Sequence, residues 1–112
     1  MSLEKKVEQL SFQVELLLGA VDWTHRPFER AVLQANLSRA DVDAFYDLLD
    51  ELQRQKNEQE RYGLTSIEPL LVRFVGMLHP NLDPLTILEA CVKQRIAIDV
   101  TEPLYRQVTL LD

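Results

Sequence analysis

The sequence is poor in the residues that build small chemical sites. Its 112 residues include one cysteine, two histidines and three glycines. A lone Cys91 excludes an internal disulfide, and without a second cysteine or a paired histidine motif the zinc patterns fail as well. No Glu is followed three residues later by His, which removes the signature of a di-iron helical bundle. Gly19, Gly63 and Gly76 stand far apart, so the sequence has no glycine-rich phosphate loop. No apolar run approaches the roughly 20 residues that cross a bilayer as a helix. No catalytic residue, metal or cofactor is expected, and the chain is read as a non-enzyme.

Positive charge is also scarce. Twelve Lys and Arg face eighteen Asp and Glu, a formal net charge of -6, so a phosphate backbone or an anionic membrane is repelled at long range. The basic residues Lys5, Lys6, Lys93, Arg95 and Arg106 are interspersed with acids and read as solvated helix surface. Neither nucleic acid nor membrane is an expected partner. The opening Met-Ser-Leu-Glu-Lys-Lys leads into a charged amphipathic segment rather than an apolar signal core; together with the single cysteine this points to the cytoplasm.

What the chain does contain is helical periodicity. An apolar content of 46% over this length suits one all-helical domain spanning residues 1–112. The spacing predicts a multihelical bundle of five to six helices. Leu3, Val7, Leu10, Val14, Leu17 and Val21 alternate in steps of four and three, a heptad seam with valine at a and leucine at d. That pattern favours two parallel strands, so a homodimer is expected, with a trimer as the alternative. The same stripe would also serve as the packing face of a bundle within one chain. Phe12, Leu16 and Leu18 lie outside the seam, which gives this helix apolar positions for both uses.

Four or five more helices follow. Pro27 opens a short second one that stops at Asn36, a residue tolerant of the left-handed conformation. Ser38 with Asp41 resembles a capping box for a long third helix, with Val42, Phe45, Leu48, Leu49 and Leu52 on its apolar face and Gly63 as its stop. Ser66 is expected to start a fourth helix carrying Ile67, Leu70, Leu71, Phe74, Val75 and Leu78, which is read as central. Asp83-Pro84 caps a fifth, with Leu85, Leu88, Cys91, Val92 and Ile96 on its face. Beyond Ala97 the pattern alternates like a strand, yet Thr101-Glu102-Pro103 reads as a helix start, and a lone strand would leave its backbone unpaired. A short helix is expected there.

Few residues invite a chemical role. Asp43, Asp47 and Asp50 share one stripe of the third helix, either a solvated face or a docking surface for a basic partner. A calcium loop is excluded because this segment is helical and lacks the turn glycine. His25 and His79 sit at helix boundaries, where surface or capping roles are the ordinary ones. Cys91 lies on an apolar face and reads as an inert small hydrophobe. Trp23, next to Asp22, is a core or hinge anchor, or an exposed contact residue. A helix-turn-helix role for the second and third helices is disfavoured because the third is acidic.

Several short segments occur in a consistent order along the chain. They are the amphipathic helix ending in Val21-Asp22, Pro27-Phe28, Leu37-Ser38, Asp50-Glu51-Leu52, Gly63 and Leu82-Asp83. In these the chain resembles the uncharacterised YhaI-like hypothetical proteins of Bacillus-type bacteria. The resemblance implies an all-α, oligomeric, cytoplasmic protein of unassigned function and carries no catalytic residues. The expected role is therefore a self-associating interaction or regulatory protein. The alternative is a small helical enzyme or ligand-binding protein with an interface pocket near Trp23 and His25.

Overall fold

A computed structural model describes residues 2–63 and 66–111. Among them the chain forms six helices and no strand: α1 (Leu3–Ala20), α2 (Pro27–Gln34), α3 (Arg39–Arg61), α4 (Glu68–Met77), α5 (Pro84–Gln94) and α6 (Ile98–Leu110). The molecule is elongated, 62 × 25 × 22 Å.

Local chemistry sets most of the boundaries. The Ser2 hydroxyl accepts from the Lys5 amide and caps α1, and the Ser38 hydroxyl and Asp41 carboxylate form a reciprocal capping box at α3. Asp83 caps α5, with Pro84 in the first turn where its missing N–H costs nothing. Asn36 adopts φ 58° just past α2, where the Leu37 amide donates to Val32 O and the Asn36 amide to Leu33 O. These bonds use the otherwise unpaired carbonyls of the last turn. Gly63, at φ 74°, ends α3 as its position in the sequence suggested.

Two boundaries differ from the sequence reading. α4 begins at Glu68 rather than Ser66; Ile67 is its N-cap and no side chain caps it. α6 begins at Ile98, well before Thr101, so Ile98 and Val100 belong to a helix and Pro103 sits inside it. The buried Thr101 hydroxyl lies 2.9 Å from Ile96 O and 3.1 Å from Ala97 O, satisfying the carbonyls at the corner. That corner is tight: Arg95 (φ 58°) and Ala97 (φ 47°) are both left-handed. Arg95 occupies the place that glycine favours, with the Ile96 amide donating to Cys91 O at 2.8 Å.

Helices α2 to α6 enclose one core. Leu49 and Leu52 of α3, Phe74 of α4, Leu88 of α5 and Leu104 of α6 are all essentially buried. α5 packs on α2 and α6, and α6 packs on α3, α4 and α5. The centre is therefore α6, not α4. Val75 of α4 faces outward with Val72 and Met77, while Leu85 and Val92 of α5 are only half-buried and Ile87 and Ala90 take core places instead. Phe45 joins the layers, its ring edge-on to Phe74 at 6.3 Å and 5.7 Å from Phe28.

Candidate functional site

α1 stands apart from this core. None of its residues is buried. The six seam residues Leu3, Val7, Leu10, Val14, Leu17 and Val21 are 43 to 76% exposed, and Phe12 and Leu16 are 57% and 55% exposed. An isolated helix of this length is marginal in water, because packing of an apolar face supplies most helix stability. The stripe is thus not the packing face of the chain's own bundle.

At the end of α1 the chain turns through Asp22–Arg26. The Trp23 indole N–H folds back to donate to Leu18 O at 2.8 Å, taking one of the free carbonyls of the last turn. Asp22 accepts from the Thr24 amide and hydroxyl, and these two bonds hold its carboxyl below the usual carboxylate range. Between this turn and the body lies a groove of about 580 Å³ lined by Leu18, Val21 and Trp23 on one side and Arg30, Ala31, Gln34 and Lys93 on the other. His25 lines a neighbouring hollow of about 400 Å³ with Arg26, Lys93 and Gln94. Trp23 and His25 line adjacent concavities that share Thr24, Pro27 and Lys93. A third cleft, about 340 Å³, separates Val7, Leu10 and Val14 from Asn36. Three of the seam residues thus border a cleft whose other wall is Asn36, just past the end of α2.

The other sequence candidates separate. Asp43, Asp47 and Asp50 are exposed along α3, and among the described residues none of them enters an ion pair. His79 Nδ1 accepts from the Asn81 amide at 3.0 Å, and its Nε2 lies 3.8 Å from Asp41, so it closes the turn after α4 beside the cap of α3. Cys91 is fully buried, and desolvation pushes its thiol up to about 12. Among the described residues no three His, Cys, Asp or Glu side chains converge as metal ligands would.

Some structural residues carry no periodic signal and were missed. Gln94 accepts from the Phe28 amide and donates to Glu29, closing the start of α2 from α5. At the other end of α2, the Asn81 side-chain amide donates to Ala35 O at 3.0 Å. Both contacts span more than 40 residues of sequence, beyond the reach of any local pattern.

Residues 1–108 match the family described as Protein of unknown function (DUF1878). The chain belongs to that family. The match runs through the exposed α1 and the α2–α6 body alike, so the unburied arm lies within the family's span.

Proposed function

We propose that this DUF1878 protein is a cytoplasmic, non-enzymatic interaction protein of the YhaI-like kind that pairs with a second copy through α1 and presents Asp43, Asp47 and Asp50 to a partner. One observation carries the reading: an 18-residue helix with a heptad seam and no buried residue. A contiguous apolar stripe of this kind on a monomer marks an interaction surface, and a second copy supplies a stripe of matching period. The test is light scattering on wild type and on a Leu10→Asp, Leu17→Asp double variant. A dimer that the variant abolishes supports the reading, and a mass unaffected by it removes the reading.

A second reading is favoured by the groove beside Trp23: a ligand site in which Arg30 and Lys93 meet a small anion. Trp23 is the only tryptophan, so its fluorescence reports directly on that groove. A saturable change with benzoate or inorganic phosphate supports this reading, and a flat titration discards it.

A further inference from the structure

The two hollows beside the α1–α2 turn divide their chemistry. The larger, of about 580 Å³, has Leu18, Val21, Trp23 and Ala31 in its wall. The Trp23 N–H is committed to Leu18 O at 2.8 Å, so the indole contributes an apolar ring and no free donor. The smaller, of about 400 Å³, is polar: His25, Arg26, Lys93 and Gln94 line it, and Pro27 is its one apolar wall. Thr24, Pro27 and Lys93 belong to both linings, so the hollows adjoin.

The local charge is opposite in sign to that of the chain. Arg26, Arg30 and Lys93 line the two hollows against one acid, Asp22, in a chain of net charge -6. Asp22 is turned to Thr24, accepting from its amide and its hydroxyl. Among the described residues Arg30 enters no ion pair, and the pairs of Arg26 with Glu29 and of Lys93 with Glu89 are exposed. Exposed pairs hold their partners weakly, which leaves all three cations open to an anion. The hollows meet at Pro27, the first residue of α2, where the positive end of the helix adds to the attraction. Several cations around one place favour a doubly charged phosphoryl group over a single carboxylate, since its oxygens accept from arginine and lysine together.

We infer that the adjoining hollows bind a small aromatic phosphate monoester, its ring against Trp23 in the larger and its phosphoryl group at Lys93, on the side of His25 and Arg26. This rests on the anion-site reading given above and adds the class of ligand and the direction in which it lies. Hollows of a few hundred Å³ suit a small molecule. An inorganic anion leaves the Trp23 wall uncovered, and a neutral aromatic leaves the cations unmatched.

The test is isothermal titration calorimetry on the full chain with phenyl phosphate, inorganic phosphate and benzoate, each to about 10 mM. The expected result is saturable binding of phenyl phosphate with a Kd about tenfold or more below that of either other probe. Lys93→Ala is expected to raise the Kd of phenyl phosphate and inorganic phosphate alike by about fivefold or more. Trp23→Ala raises it for phenyl phosphate alone, with protection of the buried Cys91 thiol reporting that the body stays folded. Phenyl phosphate bound no more tightly than inorganic phosphate or benzoate, or bound equally well by Trp23→Ala, overturns the ligand class and leaves the anion site intact. Binding indifferent to Lys93→Ala, or no saturable binding of any of the three probes, overturns both.

Discussion

Gln94 on α5 holds the first turn of α2: its side-chain oxygen accepts from the Phe28 amide at 2.6 Å, and its nitrogen donates to the Glu29 carboxylate at 2.9 Å. The N-cap residue of α2, Arg26, makes no side-chain cap, so Gln94 takes over that function from a helix distant in sequence. Gln94→Ala is expected to cost about 1–2 kcal/mol, the loss of a cap with a part-buried amide left unpaired. The measurement is the urea midpoint, and an unchanged midpoint would show that water replaces the amide without penalty.

Arg95 occupies a left-handed position at the end of α5, where a Cβ is unfavourable. Arg95→Gly is expected to raise stability by about 0.5–1 kcal/mol, the relief of strain exceeding the added freedom of the unfolded chain. Thermal melts of the two proteins check the sign. A lower melting temperature would mean that the arginine side chain makes a contribution larger than the strain.

These two positions also mark the reach of the sequence. Ser38 with Asp41, Asn36, and Asp83 with Pro84 were legible because caps and turns are decided within four residues by local hydrogen bonding. The α5–α6 corner was not. Arg95 and Ala97 are ordinary helix formers, and their left-handed backbone comes from packing α6 onto α5. Pro103 misled for a related reason. It resembles a first-turn proline, but the helix accepts it at the sixth position, losing the bond to the carbonyl of Asp99, an exposed residue. For the candidate surface, the seam residues were legible by spacing, whereas their exposure depends on what the remaining helices bury. The groove residues Arg30 and Lys93 have no periodic relation to α1 and emerge only from the fold.

Asp83 gives a pH dependence of known sign. Its carboxylate accepts from the Thr86 hydroxyl and amide, and these bonds lower its pKa below 3.8 in the folded state. A lowered folded pKa means stability that is fully present above 3.8 and lost as pH falls through the folded value. Asp83→Ala is expected to cost about 1 kcal/mol at neutral pH, typical of an exposed cap. The difference from wild type should shrink on acidification below the ordinary carboxylate value. A difference independent of pH would assign the effect to packing instead of the charged cap.

Cys91 is expected to be inert in the native protein. Burial removes access and holds the thiol protonated, so an aromatic disulfide reagent at pH 8 should react with it only after denaturation. Rapid labelling of the folded chain would contradict the packing of α5 described above.

The exposed seam of α1 is tested most directly by sedimentation equilibrium of the wild-type chain across a wide concentration range. Pairing of two copies through α1 predicts a mass of twice the 13.0 kDa chain that falls to the single-chain value in the Leu10→Asp, Leu17→Asp variant. A wild-type mass of 13.0 kDa at every concentration would contradict it.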